Sequence, residues 1–426
     1  MGPLPRSFLI FMLSLYHMKI AFFSDCYLDL TGGIVTSINA QKQALEVLGH
    51  EVAIFTSAYP KTESELKKLE KSHIYVVPSC RYLIRGVTPI SRRPGIVEKW
   101  LLRGHPELKE YDVFYIHYEA GCSIAGLRLG KKLHIPTFQV MHGREDMGVT
   151  SMVPFGLRTI VGSALNWFHS WYLPHPIKVY RDNYLANTVA KARMWTMMVN
   201  HANYADYVIC PSHHFAKKLK HYGVKHQIHI VPNGYPDTNF PPNPPLKNLL
   251  PGETLRIIWH SRLSGEKRIM PFLEALAQLD GQYHLDVYGD GQDLTRAKRF
   301  ACRYNLNVTF HGNTPFKRVQ AAIQNSHLDV LASYNFDNYP LTLVEAEACG
   351  VPCLICDPDM REIIPDGGYV LSKSESPTDM AKALSLLLRN PDCIAKMSQT
   401  MLKCRREVLI SNRINLLLDL FNNTKG

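Results

Sequence analysis

The sequence predicts an α/β protein built as two doubly wound domains facing across a cleft. Three observations predict it. The chain has 426 residues, 46% of them hydrophobic, which is more than one ordinary core accommodates. Short β-rich runs alternate with longer helical periods, the pattern of parallel sheets covered by helices on both faces. The alternation stops once, at a proline-rich stretch, and then starts again.

The chain opens on an apolar run at residues 8–16, which is shorter than the roughly twenty residues a bilayer span needs. It has neither a clear basic start nor a small-residue cleavage site. Residues 1–17 are therefore read as an N-terminal extension, with Met18 as a candidate native start. From Met18 a strand is expected at 19–24, a helix at 37–48 and a strand at 51–56, with further strands at 74–77, 113–117, 137–142 and 207–211. These complete an N-terminal domain over residues 18–235. Asp-Thr-Asn-Phe-Pro-Pro-Asn-Pro-Pro follows, with prolines where neither helix nor sheet interior tolerates them, so 236–253 is read as a linker. A second domain, 254–405, is expected to carry strands at 255–260, 285–288, 308–311, 330–332 and 353–356 and helices at 270–278 and 340–349. Beyond Pro377 the pattern is helical, and residues 406–426 are expected to form a helix packing back on the N-terminal domain.

A net charge of +11 and a pI of about 9.1 invite an anionic partner: a nucleotide, a nucleic acid or an acidic membrane. No helix-turn-helix, zinc or RNA-binding signature supports nucleic acid, which is not expected as a partner. The ten cysteines show no repeated Cys-x-x-Cys pairs and suit a reducing cytosol. Cys349, Cys353 and Cys356 straddle a Gly-Val-Pro turn with no matching His or Cys group beside them, and are read as packed thiols.

Two parallel-sheet domains present ligand sites at the carboxyl ends of their strands, so motifs placed there carry the argument. Asp-Leu-Thr-Gly-Gly-Ile, residues 29–34, lies between the first strand and the first helix. Its glycines, Gly33 among them, let backbone approach a ligand while the helix start offers N–H groups to an anion. His-Ser-Arg-Leu-Ser-Gly-Glu-Lys, residues 260–267, puts Arg262 and Lys267 on a loop that opens a helix, where two cations can neutralise charge on a departing diphosphate. In the segment 335–352, Asp337 precedes a helix and Glu345 lies eight residues later inside it, so the two carboxylates can address different parts of one ligand. A plain turn, two solvated cations and a helix-capping carboxylate are the simpler alternatives for the three.

This constellation resembles the retaining glycosyltransferases of the GT-B fold, specifically their fourth sequence family, the glycosyl transferases group 1. That family's signature is two acidic residues eight apart followed by Ala-x-Ala-x-Gly-x-Pro, and Asp337, Glu345 and the residues to Pro352 match it. The likeness runs over nearly the whole chain from Met18 and implies two Rossmann-like domains. Arg262 and Lys267 fall in what resembles the family's Gly-Arg-Leu-x-x-Glu-Lys segment, which implies contacts to the donor diphosphate. Tyr-Gly-Asp-Gly at 288–291 and Phe-His-Gly at 310–312 resemble its two nucleotide-side turns, while Pro-Ser at 211–212 and Val-Pro-Asn-Gly at 231–234 resemble the segments closing the first domain. By the same resemblance Glu345 holds the nucleotide ribose. Asp337 and the backbone after it, Asn338, Tyr339, Pro340 and Leu341, hold the donor sugar. His142, ending a Val-Met-His-Gly stretch, aligns with the family's active-site histidine and implies a contact near the reacting carbon; Gly33 would approach a diphosphate or an acceptor phosphate. Two departures stand out: Asp337 replaces the usual glutamate, and Ser261 replaces the glycine before the arginine.

The implied reaction moves a hexosyl group from a UDP- or GDP-linked donor without metal or other cofactor. Asp357-Pro-Asp359 looks like a metal-binding pair but follows a strand end and is read as a turn. Arg262, Lys267 and helix amides would then carry the leaving-group charge. The family expectation is front-face attack, with the departing phosphate oxygen taking the acceptor's proton.

Residues 148–200 interleave aromatics and cations: Met-Val-Pro-Phe-Gly-Leu-Arg at 152–158, Leu-Asn-Trp-Phe-His-Ser-Trp-Tyr-Leu at 165–173, then Lys178 and Arg181. Such a surface dips into headgroups and attracts anionic lipid, and a second basic stretch, 81–103, includes Trp100. An ordinary core helix with polar edges is the alternative. With Met-Trp-Thr-Met-Met-Val-Asn-His-Ala-Asn at 194–203, the region resembles bacterial glycolipid-forming transferases such as those that glucosylate diacylglycerol. A lipid acceptor of that type and a cytoplasmic, peripheral position at the inner face of the cell membrane follow as expectations. A polysaccharide or soluble sugar acceptor, or a sugar-nucleotide epimerase on the same fold, are the rivals.

Overall fold

The computed structural model describes residues 17–25, 27–28, 32–80 and 91–423, apart from the side chains of residues 151 and 152. The apolar run at 8–16, residues 29–31 of the Gly-Gly motif, residues 81–90 of the basic stretch and the Met152 side chain lie outside what is described. The chain divides into two compact units. One runs to Pro232 and resumes at Ile414; the other is Asn233–Arg413.

The first unit carries β1 (Lys19–Ser24), α1 (Gly33–Val47), β2 (Glu51–Thr56), α2 (Glu63–Glu70), β3 (Ile74–Val76) and α3 (Pro94–Gly104). It continues with β4 (Val113–His117), α4 (Gly121–Leu133), β5 (Thr137–Val140), α5 (Glu145–Met152), α6 (Arg158–Ser170), α7 (Val189–Tyr204), β6 (Tyr207–Cys210), α8 (His213–His221) and β7 (Ile228–Ile230). The strands form one parallel sheet in the order β3-β2-β1-β4-β5-β6-β7. Strands covered on both faces need apolar residues on both, which explains why β1, β2 and β4 read as continuous apolar runs. Ala21, Phe23, Phe55, Phe114 and Ile116 pack into one core, and their alternates Ile20, Phe22, Ile54, Val113 and Tyr115 into another.

The second unit carries β8 (Leu255–His260), α9 (Ile269–Leu276), β9 (Tyr283–Tyr288), α10 (Leu294–Arg303), β10 (Val308–Gly312), α11 (Phe316–Asn325) and β11 (Leu328–Leu331). Then come α12 (Leu341–Ala348), β12 (Cys353–Ile355), β13 (Tyr369–Leu371), α13 (Pro377–Arg389), α14 (Asp392–Cys404) and α15 (Ile410–Asn422). Its parallel sheet has the order β10-β9-β8-β11-β12-β13. Residues 236–253, read from the sequence as a linker, belong to this unit: Leu249 sits in its core, and the Lys247 N–H donates to Ser398 Oγ at 2.9 Å. The last helix ends in the first unit, where Ile414, Leu417, Leu418 and Phe421 join the core of Ile20 and Phe22.

Two strands went unread in the sequence, β7 and β13. Each is three residues long and lies at a sheet edge, where one neighbour and a short run of side chains leave little pattern, although β3, equally short and at an edge, was read at 74–77. The cysteines at 349, 353 and 356 are buried free thiols in the second unit's cores. Among the described residues no helix is long and apolar enough to cross a membrane.

Candidate functional site

In the second unit the carboxyl ends of β8 and β11 gather most of the residues singled out in the sequence. Lys267, on the loop after β8, donates from Nζ to Asp337 Oδ1 at 2.6 Å, and both side chains are only 11% exposed. Ser333 Oγ donates to the other oxygen, Oδ2, at 2.5 Å. Asp337 is thus held from two sides, while an ammonium carries three donors and so has directions left over for an anion. The Phe336 ring lies 5.3 Å from the same ammonium. Arg262 differs: its side chain is 70% exposed and meets Glu266 only at 3.5 Å.

The loop that carries these cations is fixed by a glycine turn. Gly289 has φ of +126°, and a Cβ there would stand 2.3 Å from the carbonyl oxygen of Ser261. Only a residue without a side chain lets the 288–291 turn lie flat against the 261–263 backbone, where Leu263 N–H donates to Asp290 O at 2.9 Å.

Asn335 (φ +51°) and Asn338, Tyr339 and Pro340 lead into α12. Pro340 stands just before the first helical residue, Leu341, where a missing N–H costs nothing to the helix. Leu343, Val344, Ala346 and Ala348 bury the inner face. Gly350, at φ +67°, closes the helix: its N–H donates to Glu347 O at 3.0 Å and that of Val351 to Ala346 O at 2.9 Å, a Schellman ending. The signature glycine is therefore a helix stop, and it fixes the frame on which Glu345 is displayed. Tyr339 Oη accepts from Arg413 at 2.7 Å. The Asp357-Pro-Asp359 segment, read as a turn, opens a short 3-10 helix, Pro358–Glu362, which Asp357 caps by accepting from the Asp359 N–H at 3.0 Å; its other oxygen accepts from the Asn335 N–H at 2.7 Å.

Two residues of this cluster were not singled out from the sequence. His260, the last residue of β8, lies between two carboxylates, with Nε2 2.8 Å from Asp329 Oδ2 and Nδ1 3.2 Å from Glu345 Oε2. Its side chain is 3% exposed. Burial alone would push the imidazole pKa down; the charges and hydrogen bonds of Asp329 and Glu345 outweigh it and raise it to about 10. Asp329 comes from β11, the strand that pairs with β8. The readable signal was a histidine closing the strand Leu-Arg-Ile-Ile-Trp-His and an aspartate inside the otherwise apolar strand Leu-Asp-Val-Leu.

The first unit holds the remaining two candidates. Gly33 is the first residue of α1, whose preceding Gly32 supplies no side-chain cap. His142 follows β5, its Nε2 2.8 Å from Nδ1 of the buried His117. Burial lowers the His142 pKa to about 4, and burial together with His142 pushes His117 well below the usual imidazole range, so both are neutral at pH 7. Nearby in the chain, burial raises Glu145 to about 7, with Asp146 adding to it, and burial, then Glu145 and Asp25, raises Glu119. Asp25, at the end of β1, is 2% exposed and accepts from the N–H groups of Ala120, Cys122 and Ser123 and from the hydroxyls of Ser123 and Ser91. It caps α4 from a distant strand, a role its sequence position conceals.

The aromatic segment of the first unit is an exposed surface rather than a core helix. On α6 only Gly162 and His169 are buried, whereas Ile160 and Trp167, and Trp171 at its C-terminal cap, are 65%, 59% and 55% exposed. Their spacing places them on one helix face. Phe155 and Leu157, just before the helix, are 85% and 51% exposed. The two exposed tryptophans, Trp167 and Trp171, are in contact, with ring centroids 4.2 Å apart.

Known proteins supply the context. The family model "Glycosyltransferase Family 4" matches residues 31–239, and "Glycosyl transferases group 1" matches residues 245–403. The alpha-monoglucosyldiacylglycerol synthase of Acholeplasma laidlawii is 24% identical over 404 residues, covering 90% of this chain and 91% of that enzyme. The lipopolysaccharide 1,6-galactosyltransferase of Escherichia coli (strain K12) is 28% identical over 173 residues, 37% of this chain and 46% of that enzyme, so the chain spans under half of that relative. Among solved structures, Anabaena Alr3699/HepE in complex with UDP superposes with a TM-score of 0.65 at 16% identity, covering 96% of this chain and all (100%) of that one. The fold is shared.

Proposed function

Because the chain belongs to the family 4, group 1 glycosyltransferases, we propose that it moves a hexosyl group from a UDP- or GDP-linked sugar to a lipid acceptor of the diacylglycerol type, with retention and without a metal. The observation that carries this reading is the second unit's strand-end cluster, in which one buried ammonium and two carboxylates are held in place by their own neighbours.

In that reading Lys267 keeps its contact with Asp337 and turns its remaining donors to the diphosphate, with Arg262 as an exposed second cation. Positive charge fixed beforehand stabilises the negative charge that develops as the phosphate leaves. Asp337 accepts from sugar hydroxyls, the backbone from Asn338 through Leu341 lines the donor, and Glu345 accepts from the ribose. The departing phosphate oxygen takes the acceptor's proton on the same face. His142, neutral at pH 7, contributes a hydrogen bond on the sugar side without adding charge, and the start of α1 at Gly33 offers amides to a phosphate. Asp337 in place of glutamate shortens the reach by one methylene, which shifts the sugar that fits best.

The lipid acceptor is supported by the relatives, one of them a diacylglycerol glycolipid synthase along nearly its whole length, and by the exposed apolar face of α6. With Arg158, Lys178 and Arg181 in the same region, that face lies in the interface while the cations meet anionic headgroups at the inner face of the cell membrane. The test is a screen of nucleotide sugars for thermal stabilisation, then product analysis with diacylglycerol and with soluble sugars. An α-linked glycolipid from an α-linked donor supports the reading. A sugar-nucleotide isomer formed without any acceptor would replace it with an epimerase.

A further inference from the structure

We propose that His260 is a positioning residue for donor binding: clamped by Asp329, it donates to Glu345 and fixes the carboxylate that receives the nucleotide ribose. The proposal rests on the ribose role assigned to Glu345 above, and its test separates the two.

The geometry makes a three-member relay across three elements. Asp329 on β11 accepts from Nε2 of His260 at the end of β8, and Nδ1 of the same ring reaches Glu345 on α12. With both ring nitrogens engaged by carboxylates, the ring has one orientation and two donors, which requires the imidazolium. Asp329 and His260 are 1% and 3% exposed, and Glu345 is 17% exposed, so the relay runs from the sheet interior to the one member that ligand can touch. An unsupported glutamate on a helix samples several rotamers, and ordering it costs binding energy. Holding one oxygen with a charge-assisted hydrogen bond leaves the other aimed in a set direction, and a vicinal diol needs an acceptor whose direction is set. His260 touches no ligand in this account and acts through Glu345. Its high pKa supports the assignment, since the ring remains a double donor throughout the physiological range.

The experiment is calorimetric titration of the full chain with UDP and with GDP, each beside its 2′,3′-dideoxy counterpart, for the unaltered protein and for Glu345→Ala, His260→Ala and Asp329→Asn. The unaltered protein is expected to prefer the ribose form of its nucleotide by about tenfold or more, the value of hydrogen bonds to a charged group. Glu345→Ala abolishes the preference, His260→Ala removes most of it, and Asp329→Asn removes part. In turnover assays His260→Ala raises the donor KM about tenfold and leaves kcat within about twofold, as loss of uniform binding does. Cooperative melting establishes that each variant is folded; if His260→Ala is not, Asp329→Asn decides. Folded His260→Ala and Asp329→Asn proteins that keep the full preference while Glu345→Ala loses it would overturn the role of His260 and leave the ribose reading standing. An unaltered protein that binds both nucleotide forms equally would overturn the ribose reading, and His260's role with it.

Discussion

The candidate residues of the two units bury ionisable groups in opposite ways. At the strand ends of the second unit charge is kept and paired: Lys267 with Asp337, and His260, raised to about 10, between Asp329 and Glu345. At His142, His201 and Glu145 in the first unit burial strips charge away, to about 4, about 3 and about 7, while the neighbouring Arg144 and Asp146 stay paired at 2.6 Å. There His175, His169 and His201 form a chain of imidazoles 2.6 and 2.9 Å apart that ends on Gln139, with no carboxylate among those links. On the proposed reading the difference is a division of labour. Fixed opposite charges suit a ligand that arrives with a diphosphate, whereas neutral hydrogen-bonding groups suit hydroxyls and an apolar acceptor.

The largest effect that can break this contrast is at Lys267. Lys267→Ala is expected to lower kcat by about two to three orders of magnitude, the usual loss when a transition-state charge contact is removed. Steady-state assays with saturating donor check it, and near-normal turnover would take Lys267 out of the site.

The contrast also predicts opposite pH sensitivities. A histidine with a depressed folded pKa contributes stability in full above its unfolded value near 6.5, and that contribution is lost as pH falls. For His201, burial and the nearby His175 cause the depression, so the loss reaches on the order of 2–3 kcal/mol by pH 4.5 for that group alone. His260 has the opposite sign: its contribution is complete below about 6.5 and disappears as pH rises through about 10. Hydrogen exchange across pH should therefore show the segment around His201 weakening in acid and the segment around His260 weakening in alkali. The same pH dependence at both segments would contradict the contrast.

Smaller effects follow at the surface and at the sugar. Replacing Trp167 and Trp171 by alanine should weaken binding to vesicles containing anionic lipid by about tenfold, and raised salt should release the unaltered protein. Equal binding to neutral vesicles in sedimentation assays would remove the electrostatic part. Asp337→Glu should change the ratio of kcat/KM between competing donor sugars by a few-fold, because one methylene shifts a hydroxyl contact by little more than an ångström. An unchanged ratio would place Asp337 away from the sugar.

Much of the fold was readable because buried parallel strands announce themselves. β1, β2, β4 and β8 were located residue for residue by their apolar runs, whereas β7 and β13, short edge strands, carry little pattern. The cations and acids of the second unit were legible because they cluster in two segments. His260 and Asp329 were not, since 69 residues separate them and only the pairing of β8 with β11 brings them together. Asp25 was hidden for the same reason: its partners lie 66 to 98 residues away. Residues 165–173 showed their aromatics and cations plainly, but not whether the tryptophans face inward; a helix with two buried residues answers that.

The central claim is that the second unit holds an activated sugar at the ends of β8 and β11. Hydrogen exchange of the full chain with and without its nucleotide sugar tests it most directly. The account predicts added protection across residues 260–268 and 335–348, lost in Lys267→Ala. Protection confined to other segments, or none with any nucleotide sugar at millimolar concentration, would contradict it.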